Sequence, residues 1–358
     1  MKKYRVIQWA TGGVGRAAIE GVLSHPELEL SGVWVHSPEK DGMDVGRILG
    51  GDDIGVNATT DADALLSTPA DCVFYSPVVG NPKELARILE SGKNVVTPLN
   101  WFYRGDRDWS VLEDACQRAR VTLHGTGIHP GGITERFPLM VSALSRDVTF
   151  VRAEEWSDIR SYGAPQVVHD VMQFGKTPEE AKKSVMVNLL GDGFLQSIDM
   201  VADALGFGLD SEKRVTHEVS VSSEPVDSPI GRIEPGLVTA QRFTWEGSVR
   251  GETVIRVRTN WFMGQGDFES GWEFGAKGER FEVEVQGDPN ALLTFNGWHP
   301  HSIEEGLERN PGIVATAIHG VSAIPETCRA APGIKSYLDL PFVHGRAARR
   351  LARAPESS

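Results

Sequence analysis

The stretch VIQWATGGVGRAAIEGVL, residues 6–23, constrains the fold more than any other: an apolar, β-rich run meets a cluster of glycines and passes directly into helix-like spacing. A strand that turns through glycines into a helix N-terminus offers backbone N–H groups and the positive end of the helix dipole to an anion. In a βαβ unit that anion is the pyrophosphate of a dinucleotide. Ala10, Gly12 and Gly15 occupy the three positions of the G-x-G-x-x-G pattern, with Thr11, Gly13, Val14 and Arg16 completing the turn. Alanine at the first position predicts an ordinary negative φ there, and so a turn slightly different from the standard one. The second glycine lets backbone approach the pyrophosphate, and the third lets the helix pack on the strand.

The alternation continues down the chain. YRVIQWA, LELSGVWVH, DCVFYSP, NVVTPL and TLHGTG read as five strands, with GRAAIEGVLSHP, DADALLST, PKELARILESG and WSVLEDACQRARV as the helices around them. This rhythm predicts an α/β fold with a parallel, doubly wound sheet. Beyond Pro130 the texture changes. After TFVRAEEWSDI and a helical stretch near 177–206, the segments VTHEVSVSSEPV, LVTAQRFTWEGSV, TVIRVRTNWFM and RFEVEVQG alternate apolar with polar residues, which predicts an antiparallel, half-exposed sheet.

With 358 residues, 40% of them hydrophobic, the chain exceeds what one core usually holds, so two domains are expected. Lys plus Arg are outnumbered 36 to 49 by Asp plus Glu, giving a net charge of -13 that argues against a nucleic-acid surface. The basic C-terminal stretch GRAARRLARAPESS reads as a polar tail. No run approaches the roughly 18–20 apolar residues of a membrane span, and MKKYRVIQW lacks a long apolar leader core. The three cysteines, Cys72, Cys116 and Cys328, are odd in number and widely spaced, so neither a disulfide framework nor a metal-binding knuckle is expected. These features predict a cytoplasmic protein with a small-molecule partner, neither nucleic acid nor membrane.

An NAD-binding domain usually ends its second strand in Asp or Glu, which holds the ribose 2′-hydroxyl. Here that strand runs out in VWVHSPEK, where the strand-end acid is absent and His36, Ser37 and Lys40, with Arg16, are donors suited to a 2′-phosphate. NADP(H) is therefore expected in preference to NAD(H), which stays as the alternative. YSPVVGNP and TPLNWFY follow the third and fourth strands at the carboxyl edge of the sheet, which makes Ser76, Pro77, Thr97 and Pro98 candidate cofactor-lining residues.

The segment of residues 6–46, together with ESGKNVVT and above all GTGIHPGGITERFPL, resembles the dihydrodipicolinate-reductase-like oxidoreductases, the group that includes 2,4-diaminopentanoate dehydrogenase and the native amine dehydrogenases. The resemblance implies a Rossmann domain (residues 1–135), an α+β substrate and dimerisation domain (136–310), and a C-terminal helix and tail (311–358) returning to the first domain. It also implies a homodimer and reductive amination of a carbonyl, or its reverse. In such enzymes a glutamate shortly after the fourth Rossmann strand handles ammonia or the imine. In NVVTPLNWFYRG, Asn100 falls at that place, followed by Trp101 as a candidate pocket wall. An amide hydrogen-bonds substrate but exchanges no proton near neutral pH, so acid–base work must come from elsewhere or be unnecessary.

His129 in GTGIHPGG is the first candidate proton donor, since imidazole titrates in a useful range. The family layout puts Asp158, Arg160, His169 and Phe174 on the pocket side, Asp158 as a further catalytic candidate, and Trp261 is a possible wall. Glu154 and Glu155 are adjacent, so on a strand they point to opposite faces and do not act as a pair. His299 and His301 lack a suitably spaced third ligand, and no metal site is expected.

The leading expectation is an NADP-dependent oxidoreductase transferring hydride to a small-molecule C=N, C=O or activated C=C bond. An ammonia-using amine dehydrogenase and a non-catalytic dinucleotide sensor are the alternatives. A cysteine-dependent aldehyde dehydrogenase fits less well, because Cys72 and Cys116 fall inside a strand and a helix of the first domain.

Overall fold

Val6, Ile7, Gln8 and Trp9 are all buried in the first strand, β1 (Tyr4–Trp9), as a central parallel strand covered on both faces requires. The computed structural model describes residues 3–264, 266, 268–274 and 278–351. Parallel to β1 run β2 (Leu28–Trp34), with the two-residue β3 (Ala58–Thr59) beyond it, and on the other side β4 (Cys72–Tyr75), β5 (Asn94–Thr97) and β6 (Thr122–Gly125). The strand order therefore reverses between β1 and β4, the place where an open α/β sheet binds its ligand. All five strands read from the sequence form, and β3, too short to carry a periodic signal, is an addition.

The second unit, Ile128–Ala315, is organised by the 13-residue β7 (Arg146–Asp158). β8 (Arg214–Val221), the small hairpin of β9 (Val226–Ser228) and β10 (Gly231–Ile233), β11 (Val238–Val249), β12 (Glu252–Phe262), β13 (Arg280–Asp288) and β14 (Ala291–Phe295) follow. The six-stranded sheet has the order β14-β13-β7-β12-β11-β8. The expected all-antiparallel sheet is corrected here: β12 runs parallel to β7, whereas β11–β12, β8–β11, β7–β13 and β13–β14 are antiparallel. The reason is the connection. The chain leaves β7 through the helix Met186–Leu205, and a parallel neighbour requires such a crossover.

Alternation along β7 gives the sheet two unlike faces. Val151 and Ala153 share an apolar core with Phe194, Ile198 and Val201 of the helix Met186–Leu205, the buried Val, Ile and Phe side chains contributing about 1.5–3 kcal/mol each. On the opposite face Arg152 bridges Glu154, Glu282 and Glu284 at 2.6–3.0 Å.

The other unit consists of Met1–Gly127 together with Thr316–Ser358. Within it, residues 316 onward of the helix Pro311–Arg329 lie against the first helix, Gly13–Ser24: a Cβ on Gly21 would sit 2.6 Å from Ile318 Cδ1. A last strand, β15 (Gly333–Lys335), then adds to β6 in parallel and closes the sheet at seven strands. Tethers surround it: Lys335 O meets His124 Nδ1 at 2.8 Å, Glu113 accepts from Ile334 N at 3.0 Å, and Pro332 O accepts from Gln117 at 3.2 Å. Residues 352–358 of the basic tail lie outside the described residues. No described helix is long and apolar enough to cross a membrane.

Candidate active site

At the end of β1 the glycine turn takes the standard shape with a nonstandard residue. Ala10 has φ +75°, the left-handed conformation that glycine normally supplies, which corrects the expectation of a negative φ. The physical reason lies around it. Gln8, fully buried, donates its side-chain amide to Ala10 O at 2.9 Å and to Ser76 Oγ at 2.9 Å, clamping the turn to the residue after β4. Gly15 passes so close beneath that a Cβ there would lie 2.2 Å from Ala10 O.

The helix that follows, Gly13–Ser24, begins at Gly12 with no side-chain cap and no acidic residue in its first turn, so its leading N–H groups are available to an anion. Lys40, in the short 3-10 turn Pro38–Lys40, brings its Nζ to 3.3 Å from Thr11 Oγ1 at this same turn. Gly12, Gly13, Arg16 and His36 are exposed, Val14 and Ser37 half-buried, and Arg16 donates to Leu49 O at 3.3 Å. An uncapped N-terminus with an ammonium beside it fits a phosphate-bearing dinucleotide.

Ser76 and Pro77 are half-buried after β4, and Ser76 N donates to Trp9 O at 3.1 Å. Thr97 is fully buried at the end of β5, its hydroxyl accepting from Leu99 N at 3.1 Å, with Pro98 half-buried beside it. Asn100 and Trp101 both hold positive φ, +39° and +50°, an uncommon pair for residues with side chains. Their carbonyls cross directly over Gly125, where a Cβ would meet Trp101 O at 2.4 Å and Asn100 O at 2.6 Å. Trp101 itself is 5% exposed and packs in the core of its own unit.

The second unit holds a cluster of titratable groups at the carboxyl end of β7. Glu155 and Ser157, two apart on the strand, share a face, and Ser157 donates to Glu155 Oε1 at 2.7 Å. His299 Nε2 lies 3.2 Å from Ser157 Oγ, its ring stacked on Phe281 at 5.3 Å. On the other side of the carboxyl, His129 Nε2 stands 3.7 Å from Glu155 Oε2, with its ring 4.7 Å from that of Phe194. Trp261, paired in register with Ser157, turns its indole toward Glu155 and, like the Ser157 hydroxyl, favours the ionised carboxylate.

Burial governs the charges here. It lifts the Glu155 carboxyl to about 7, opposed by the Ser157 hydroxyl, and pushes the imidazoles of His129 and His299 down to about 3 and about 4. Both rings are neutral at neutral pH, and Glu155 is poised between its two forms. Nδ1 of His299 is buried with no hydrogen-bond partner among the described residues, while His129 meets the backbone of Arg258. Elsewhere in the unit, Glu135 lies within the π-helical turn Gly132–Arg136; burial lifts its carboxyl to about 8, and Ser197 donates to it at 2.6 Å.

The remaining candidates are placed apart from this cluster's chain of contacts. Asp158 faces the other way and is occupied by Arg160 (the closest contact 2.6 Å) and by Gly264 N. His169 is on a short helix, 39% exposed, against Asp170. Phe174 is fully buried core, and His301 is exposed. Glu154 and Glu155 do point to opposite faces: Glu154 bonds Arg152 and Asn260. Sequence reasoning missed Glu155, Ser157 and His299 as partners, although the i, i+2 spacing of EEWS carries the first two.

Residues 133–352, more than half of the chain, match the 2,4-diaminopentanoate dehydrogenase C-terminal domain family. The chain belongs to this family. An amine dehydrogenase from Streptomyces virginiae is 28% identical over 94% of this chain and 96% of its own length. The 2,4-diaminopentanoate dehydrogenase of Acetoanaerobium sticklandii is 23% identical, over 95% of this chain and 94% of its own. The structure of an amine dehydrogenase from Mycobacterium smegmatis superposes with a TM-score of 0.74 at 20% identity, covering 96% of this chain and 97% of that one. The likeness is one of fold: a Rossmann-type parallel sheet and a mixed-sheet unit. As a member of a diaminopentanoate dehydrogenase family, the chain is an oxidoreductase.

Proposed function

We propose that this protein is an NADP-dependent oxidoreductase that transfers hydride to a small-molecule C=N, C=O or activated C=C bond. The observation that carries the cofactor reading is Lys40 Nζ, 3.3 Å from Thr11 Oγ1, beside an uncapped helix N-terminus and after a second strand with no terminal acid. The nicotinamide supplies the hydride when bound. In this reading Gly12, Gly13 and Val14 receive the pyrophosphate on their backbone N–H groups, Lys40, His36, Ser37 and Arg16 hold the 2′-phosphate, and Ser76 and Thr97 line the path toward the nicotinamide.

Similarity to two proteins named for amine and diamine dehydrogenation favours a second form of the same reading, reductive amination with ammonia. One titration series separates the forms. NADPH and NADH are added in parallel with nucleotide fluorescence as the signal, then ammonium chloride and a panel of simple ketones, aldehydes and enones. Tighter NADPH binding with ammonium-dependent oxidation supports amine dehydrogenation; ammonium-independent turnover supports a carbonyl or alkene reductase. Binding of neither nucleotide would overturn the proposal.

A further inference from the structure

Cys72 and Cys328 stand far apart in the sequence, yet the fold of the first unit brings them together. Cys72 opens β4 and, on a strand, shares a face with Phe74, two residues on. The helix Pro311–Arg329, from residue 316 onward part of the same unit, covers that face. At Gly320 it comes so close that a Cβ would lie 2.6 Å from Phe74 Cε2 and 3.6 Å from Val96 Cγ1 of the neighbouring β5. Roughly two turns further along, Cys328 reaches the start of the strand. Its Sγ lies 3.9 Å from Asp71 O, and the thiols of Cys72 and Cys328 meet in a hydrogen bond. Helix and strand thus run in opposite directions, with a thiol of each at the same end.

The two sulfurs differ in access. Cys72 is fully buried, and burial together with the neighbouring thiol holds it protonated well above the usual thiol range, whereas Cys328 is half-buried. The third cysteine is an internal control. Cys116, in the helix Ser110–Ala119, packs with Val73 and Tyr75, the residues of β4 that point to the other face of the sheet, and burial lifts its thiol to about 12. Metal binding does not compete for the pair: among the described residues no three His, Cys, Asp or Glu side chains gather in a way that could hold an ion.

We propose that Cys72 and Cys328 are a modification site: they form a reversible disulfide that fastens the C-terminal helix to β4 when the protein meets a hydroperoxide. The inference is independent of the hydride-transfer reading above. Cys328, the more accessible, reacts first. Its thiolate sulfur attacks the hydroperoxide, the O–O bond breaks, and Cys328 becomes a sulfenic acid while an alcohol leaves, or water when the oxidant is hydrogen peroxide. The Cys72 sulfur then attacks the Cys328 sulfur, the S–O bond breaks, and the hydroxyl departs as water with the Cys72 proton. Two thiols are oxidised to one disulfide, and one hydroperoxide is reduced to an alcohol and water, or to two waters. An external dithiol reverses the step by exchange. The bond closes a loop that contains the whole of residues 128–315, so it restrains the unfolded chain far more than the folded one.

The test uses the full chain, reduced and then treated with a small excess of hydrogen peroxide. Peptide mapping by mass spectrometry without reductant should find the Cys72–Cys328 linkage, with Cys116 still a free thiol. The melting temperature should rise by about 3 °C or more and return to its starting value on adding dithiothreitol. Cys72→Ala, which keeps the buried site small and apolar, should lose both the linkage and the rise and leave Cys328 as a sulfenic acid that dimedone traps. Cys328→Ser should leave Cys72 unoxidised under the same treatment. A parent chain that keeps all three thiols free overturns the proposal, and this reading needs no variant to fold. So do oxidation of Cys328 with Cys72 still free, a linkage that involves Cys116 or a second chain, and a Cys72–Cys328 linkage that leaves the melting temperature where it was.

Discussion

Ala10 shows how a residue can break a local rule and still keep the geometry. Its left-handed φ costs roughly 1–2 kcal/mol in an L-residue, and the Gln8 clamp on Ala10 O holds it there. Ala10→Gly should therefore raise stability in urea denaturation by about 0.5–1 kcal/mol, the relief of strain less the added freedom of glycine in the unfolded chain. Lys40→Ala should weaken NADPH binding by about ten- to hundredfold, the loss of one charge-assisted contact, and leave NADH unchanged. Glu135 gives a pH signature of its own. Its carboxyl is lifted from 4.5 to about 8 in the folded protein, so its contribution to stability is complete in acid and is lost as pH rises through about 8. Glu135→Gln removes that titration, and urea denaturation across the range should show the variant gaining on the parent with rising pH. Equal slopes for the two would place the ionisation elsewhere.

Among the elements, strands and helices of the first unit were legible because hydrophobic spacing and glycine stops report local structure. The glycine turn was legible as a phosphate site, but not the backbone angle of Ala10, which depends on a side chain two residues before it and on Gly15 five residues after. Glu155 was legible only as a face assignment. What encloses it is the meeting of β7 with His129 from one loop and His299 from a segment more than 140 residues later, and pairwise spacing holds no trace of that. The direction of β12 was hidden for a similar reason, since alternation marks a half-covered strand without saying which neighbour it has. Gly15→Ala tests the element junction: with a Cβ at 2.2 Å from Ala10 O, strand and helix cannot both keep their places, and loss of nucleotide binding with a lowered melting temperature is expected.

At the scale of the whole molecule, the sheet that carries the glycine turn draws strands from both ends of the chain. A chain truncated after Ala315 lacks β15 and most of the helix Pro311–Arg329. It should lose NADPH binding, and limited proteolysis should cut residues 3–127 first; retained binding would show that the first six strands suffice. The order of elements also has a temporal side. A ribosome delivers β1 to β6 early, but their seventh strand emerges only after all of residues 128–315 have been made. The second unit can thus settle before the first is whole, and a polypeptide still in synthesis carries an incomplete sheet beneath the nucleotide turn until β15 has been made.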